Sequence, residues 1–298
     1  MRIALLIAAK LAVGAAVLAV VLTRVPLAPV LDAVRHVAPT ALLLAIVLFF
    51  AAHIVNALKL RVFLPDLGLW PAIRFTLLAL LYGAVLPGQL AGDAVKAVRL
   101  MRVMQGGNAG HIAAAVALDK VVGLFALLVL TALGLGLEAK AVGADAARIG
   151  TAVIVLAAAA VTALVVLPPP AWFGRFGQAF RLWRDAHVSG PVMLTSLALG
   201  LVFNALSIAV FVVLGAALGL HLSLAVWAVV VGLISLALLL PITVAGIGLR
   251  DAGLVALLAA LGQDAQAALA LSFLLLALTL IGAVAGFVAE MLGRDRAA

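Results

Sequence analysis

Cysteine is absent from the 298 residues, which excludes disulfides, thiolate metal sites and cysteine nucleophiles. Charge is scarce too. Asp, Glu, Lys and Arg supply 10% of the chain, against about 25% in an ordinary soluble protein. A single tyrosine and scattered basic residues leave no basic–aromatic surface for nucleic acid. The five histidines are not clustered and no nucleophile–base pair emerges, so neither a metal, a cofactor nor an enzymatic activity is expected. What the chain has in excess is hydrocarbon, at 68% of residues. Several apolar runs reach the length needed to cross ~30 Å of lipid. The expected class is an all-α polytopic membrane protein, with residues 1–298 forming one integral membrane domain.

Met1, Arg2 and Lys10 before "LAVGAAVLAVVL" have the outline of a signal peptide. No small-x-small cleavage site follows, so an uncleaved first span is expected. Full spans are read at about 3–22, 40–58, 110–137, 149–167, 191–219 and 266–290, six in all. Two further pieces break the pattern. Residues 71–86 stop at Pro87 and are followed by a short helix at 94–105; residues 224–240 stop at Pro241 and are followed by another at 250–261. A 12-residue helix covers only about 18 Å, too little to cross. Each pair therefore reads as a re-entrant hairpin, tolerated at membrane depth where protein or a wet cavity covers the broken backbone.

With the N-terminus inside, eleven basic residues, Lys59, Arg61 and Arg74 among them, fall on the cytoplasmic side. Four fall outside: Arg24, Arg35, Lys140 and Arg148. This agrees with the positive-inside rule and puts both termini in the cytoplasm. Short echoes repeat in the same order, "VNAL" at 55–58 with "FNAL" at 203–206, and a proline five residues before a glycine at Pro87/Gly92 and Pro241/Gly246. They define two units of opposite orientation, about 40–137 and 191–290. Inverted repeats with broken helices are a transporter architecture. The arginine- and aromatic-rich segment at 168–188 reads as a cytoplasmic interfacial helix, and G-x-x-x-G at Gly215/Gly219 and Gly282/Gly286 as close helix packing.

The second helix of each hairpin would aim its unpaired N–H groups at the protein centre, a natural seat for an anion. Beside it stand Lys96 and Arg99 in the first hairpin and Arg250 in the second. Asp93 and Asp251 either belong to that site or only satisfy helix N-termini. Gly92, Gly246 and Gly248 answer to backbone needs at the breaks. Asp119 and Lys120 are adjacent and cannot face each other on a helix, so each needs a partner elsewhere; for Lys120, Asp93 or Asp251 would serve. They are either a structural ion-pair set or substrate contacts. His53 and Asn56 share a helix face, and Asn204 is the repeat mate of Asn56; these read as packing and interhelical hydrogen bonding, with a proton relay at His53 as the alternative.

Two stretches carry a family resemblance. Pro87, Gly88, Ala91, Gly92, Asp93, Lys96 and Leu100 resemble the early P-G-x-x-G-G-D-x-x-[RK]-x-x-x-L segment of the lysylphosphatidylglycerol synthase transmembrane (flippase-like) domain family. Pro241, Ala245, Gly246, Gly248, Arg250 and Asp251 resemble its late P-x-x-x-G-G-x-G-x-R-E segment. "LDKVVGL" at 118–124 looks like the acidic–basic–x–x–Gly motif between them. Alanine replaces one glycine in each long motif, and Asp251 stands for the usual glutamate. The resemblance implies movement of a polar or phosphate-headed lipid between leaflets of a bacterial inner membrane, without the family's soluble synthase domain. An ion-coupled carrier of a small anion, or a non-transporting partner of a lipid-modifying enzyme, is the alternative.

Overall fold

A computed structural model of the chain describes residues 27–86, 89–104, 109–138, 189–239 and 246–293, with scattered positions between 148 and 159. Among these residues there are nine helices of eight residues or more and no strand. They are α1 (Leu27–Arg35), α2 (Pro39–Phe63), α3 (Leu69–Val85), α4 (Gln89–Val103), α5 (Ala109–Leu137), α6 (Gly190–Ala217), α7 (Leu224–Leu238), α8 (Leu249–Ala260) and α9 (Ala265–Gly293). The expected span at 3–22, most of that at 149–167, the interfacial segment at 168–188, and Pro87 and Pro241 lie outside the described residues.

Local chemistry sets the helix limits. Pro39 opens α2, where its missing N–H costs nothing. Ser223 caps α7 by accepting the Val226 N–H at 3.2 Å, and Asp264 caps α9 through the Ala267 N–H at 2.8 Å. Gly246 and Gly248 adopt φ of 76° and 84°, a backbone that residues with a Cβ adopt only under strain, and so turn the chain into α8.

Four helices, α2, α5, α6 and α9, are long and apolar enough to cross a bilayer. Leu43, Leu44, Val47, Leu194, Val202 and Val284 lie exposed on three of them, as expected where the solvent is lipid. The shorter helices fall into two consecutive pairs, α3–α4 and α7–α8. At 15 residues, α4 rises only ~22 Å, and α8, at 12 residues, ~18 Å. The first short helix thus begins at Gln89, earlier than the expected 94. In the α7–α8 pair the outer ends meet: the His221 N–H donates to Gln263 Oε1 at 3.1 Å.

The helices pack across the two halves of the chain. α2 lies along α6, α3 packs on α9, and α7 packs on α5. Lipid gives no hydrophobic drive for such contacts, so they depend on close fit. Gly286 lets α9 sit against the Leu77 carbonyl of α3, and Gly215 makes room for the Trp227 ring. Gly219, expected to extend that packing stripe, instead has open space around it and φ of 76°; it turns the chain after α6.

Candidate functional site

Helices α2 to α9 line a half-open cavity of about 290 Å³, and each contributes at least one lining residue. His53 and Asn56 come from α2, Thr76 from α3, Asp93 from α4, Lys120 from α5, Phe203 from α6, Leu238 from α7, Arg250 from α8 and Thr279 from α9. Asp93, Lys120 and Arg250, drawn from three separate stretches of sequence, thus share one space.

Asp93 is the hinge of the charged wall. Its Oδ1 lies 2.9 Å from Lys96 Nζ and its Oδ2 lies 2.9 Å from Lys120 Nζ. Because α4 starts at Gln89, Asp93 stands a full turn inside the helix and does not cap it. Lys96 is buried behind the wall, 3.8 Å from Asp119 Oδ2. Asp119 in turn faces Lys59, whose ammonium donates to the Asp119 carbonyl at 2.8 Å and stands 3.4 Å from its Oδ1. A Cβ on Gly123 would come within 2.6 Å of that ammonium, so the glycine of "LDKVVGL" leaves room for it. Asp119 and Lys120 therefore do point apart, each to its own partner. Charges enclosed in this way are costly unless paired, and all five here have a partner.

Lys59 does not lie in the cytoplasmic loop that a second span ending at residue 58 predicts. α2 in fact continues to Phe63, and Lys59 is 2% exposed. Its spacing of three from Asn56 would have placed both on one helix face.

The second polar group surrounds the start of α8. Asp251 Oδ2 accepts the Gly248 N–H at 2.8 Å, so this carboxylate does satisfy its own helix N-terminus. Its Oδ1 accepts a hydrogen bond from Ser272 Oγ on α9 and lies 3.6 Å from Arg250 Nη2. Arg250 Nε donates to Ser272 Oγ at 3.3 Å. Arg250 is 6% exposed, yet its Nη2 has no hydrogen-bond partner among the described residues. Neither Asp93 nor Asp119 forms an ion pair with it.

Arg99 stands apart from both groups. Its Nη2 pairs with Glu290 Oε1 at 3.0 Å and donates to the Tyr82 hydroxyl at 3.2 Å, and its side chain is 38% exposed. Glu290 and Ser272 carry no motif signal in the sequence, one standing at the end of the last apolar run and the other within it. His53 donates through Nδ1 to the Phe49 carbonyl at 2.7 Å and packs between the Phe49 and Phe203 rings. Asn204 donates to the carbonyls of Gly123 at 3.1 Å and Gly200 at 2.8 Å, tying α6 to α5; it is not among the cavity residues. Among the described residues no group of acidic and histidine side chains could hold a metal.

A bundle of apolar helices enclosing charged side chains defines a multi-pass membrane protein with a polar cavity inside it. The chain belongs to the lysylphosphatidylglycerol synthase TM region family, which it matches over residues 7–286. The match is to the membrane region of that family, not to a catalytic synthase domain. No curated protein matches the chain.

Proposed function

We propose that the protein moves a polar or phosphate-headed lipid between the leaflets of a bacterial cytoplasmic membrane, holding the head in the half-open cavity lined by α2–α9. Arg250 carries this reading. A guanidinium N–H with no acceptor, almost wholly buried on a cavity wall, is costly to maintain. Arg250 lines the cavity, and a phosphate brought against its guanidinium would satisfy that N–H and can take the two parallel bonds that arginine offers. Lys120, with its side chain 40% exposed on the same wall, supplies a second cation. At about 290 Å³ the space suits a head group and not acyl chains, which stay in the surrounding lipid.

In this reading α3–α4 and α7–α8 are re-entrant hairpins, related by an inverted repeat about the cavity. Their short rises support it, as does the bond joining His221 to Gln263 across the ends of the second pair. The crossed packing of α3 on α9 and of α7 on α5 is the pattern that exchanging the two halves would leave unchanged. Both termini then lie in the cytoplasm.

The cavity volume equally suits a small soluble anion, which makes an ion-coupled carrier the second reading. Proteoliposomes carrying lipids labelled in one leaflet separate the two. Lipid movement that depends on Arg250 supports the flippase. Uptake of radiolabelled phosphate or sulfate with no lipid movement supports the carrier.

A further inference from the structure

Asn56 and Asn204 stand at matching places in the "VNAL" and "FNAL" echoes, yet they are used differently. Asn204 spends its amide protons on helix carbonyls, those of Gly123 at 3.1 Å and Gly200 at 2.8 Å. Asn56 lines the cavity, half-buried, and its side-chain amide makes no hydrogen bond among the described residues. His53, one turn earlier on α2, lines the cavity beside it. Its Nδ1 proton goes to the Phe49 carbonyl at 2.7 Å, so in the neutral ring Nε2 presents a bare lone pair, with no donor facing it among the described residues.

The rest of the lining limits what could meet these two side chains. Lys120 and Arg250 are cations, and the one lining carboxylate, Asp93, already has a lysine ammonium 2.9 Å from each oxygen. An ammonium on an incoming head would therefore face two positive charges and no free carboxylate. Thr76 and Thr279 donate to the Ala72 and Leu275 carbonyls of their own helices, so they offer a ligand only lone pairs. A hydroxyl suits this wall, because it can donate to His53 Nε2 and accept from the Asn56 amide. Water serves both groups while a half-open cavity is vacant. A ligand that displaces that water without replacing its bonds binds less well.

We propose that His53 and Asn56 form a selectivity face that reads hydroxyl groups, so that the lipid carried is a phosphodiester with a glycerol or sugar head and not an aminated one. The inference rests on the reading of Arg250 as the phosphate contact. In a cavity of about 290 Å³, one head group whose phosphate sits at Arg250 and Lys120 is large enough for its far end to reach α2. Discrimination then has two sources. A head without hydroxyls leaves the Asn56 amide and His53 Nε2 unpaired, and a head with an ammonium is repelled by the cations that hold its phosphate.

The test compares heads that differ in one property at a time. Purified full-length protein is titrated calorimetrically with dihexanoyl phosphatidylglycerol, phosphatidylmethanol (the same charge without hydroxyls) and phosphatidylethanolamine. Phosphatidylglycerol is expected to bind about tenfold more tightly than phosphatidylmethanol, and phosphatidylethanolamine more weakly than either. Asn56→Leu, and separately His53→Phe, which keeps a ring between Phe49 and Phe203, should lower phosphatidylglycerol binding toward the phosphatidylmethanol level. Binding of phosphatidylmethanol itself should not change, whereas a merely structural role would weaken both lipids alike. Equal binding of phosphatidylglycerol and phosphatidylmethanol by the wild type overturns hydroxyl recognition and leaves the phosphate site standing. Phosphatidylethanolamine binding as tightly as phosphatidylglycerol overturns the exclusion of aminated heads. Parallel loss of both anionic lipids in the two variants removes His53 and Asn56 from the selectivity face. Glycerophosphoglycerol binding as tightly as the lipid keeps hydroxyl recognition but overturns a lipid as its source. No binding of any of the four overturns the anion site and the selectivity together.

Discussion

Replacing Asp93 by asparagine keeps the side chain's size and removes the charge that joins Lys96 to Lys120. The two lysines should respond unequally. Lys96 has its side chain 1% exposed, and without Asp93 its nearest carboxylate oxygen is that of Asp119 at 3.8 Å. Stranding a buried charge in this way costs about 3–5 kcal/mol. Lys120 has its side chain 40% exposed, so its share is closer to ~0–1 kcal/mol. Unfolding of the purified protein in denaturant should therefore show Asp93→Asn losing ~3–5 kcal/mol and Lys120→Met no more than about 1 kcal/mol. Adding Lys96→Met to Asp93→Asn removes the stranded cation, and the double variant should be more stable than Asp93→Asn alone. Asp93→Ser, which would preserve a helix cap, should be no better than Asp93→Asn, because Asp93 lies inside α4. If Lys120→Met costs as much as Asp93→Asn, or if Lys96→Met gives no rescue, the assignment of Lys96 as the dependent partner is wrong.

Arg250→Lys should weaken binding of a phosphate-headed lipid by ~1–3 kcal/mol, about 5-fold to 150-fold, because lysine cannot offer two parallel bonds. Arg250→Gln should abolish transport yet leave a folded protein, since Asp251 keeps the Gly248 N–H and Ser272; undiminished lipid binding by that variant would remove Arg250 from the site. At Gly92 an added Cβ would run into the Ala79 carbonyl of α3, so Gly92→Ala should part the α3–α4 pair and cost about 1–3 kcal/mol in the same denaturant assay. Single cysteines at 74 and 105 should be labelled from the cytoplasm, and cysteines at 221 and 263 from the opposite side. Labelling of the members of either pair from opposite faces would sink the re-entrant reading.

Much of the site was legible because membrane depth leaves few explanations for a charge. Asp93, Lys96, Asp119, Lys120, Arg250 and Asp251 all stood out against apolar runs, and all are now seen engaged in ion pairs. Their partners were less legible, because pairing depends on where each helix begins and ends. An α4 starting at 94 would have made Asp93 a cap; starting at Gln89, it makes Asp93 a bridge between two lysines. A span ending at 58 left Lys59 in a loop, whereas a helix running to Phe63 encloses it. Glu290 was hidden for the same reason, sitting where an apolar run gives way to polar residues.

In a soluble protein a helix carries charged residues along its solvent face, where water is their partner. Here the helix continues past the first charge, because a neighbouring helix supplies the counter-charge that water would otherwise provide. Lys59 on α2 and Asp119 on α5 do this for each other across 60 residues of sequence. The apolar pattern alone cannot register such an exchange, since it counts each charge as a boundary. The last turn of α2 and this ion pair are thus linked: Lys59 is enclosed where Asp119 receives it. By this logic Asp119→Leu should do more than break an ion pair. It should fray the last turn of α2, raising amide hydrogen exchange around Lys59–Phe63, while Lys59→Met with Asp119→Leu should leave that turn protected. Equal exchange in the single and double variants would show that α2 holds its length without the Lys59–Asp119 ion pair.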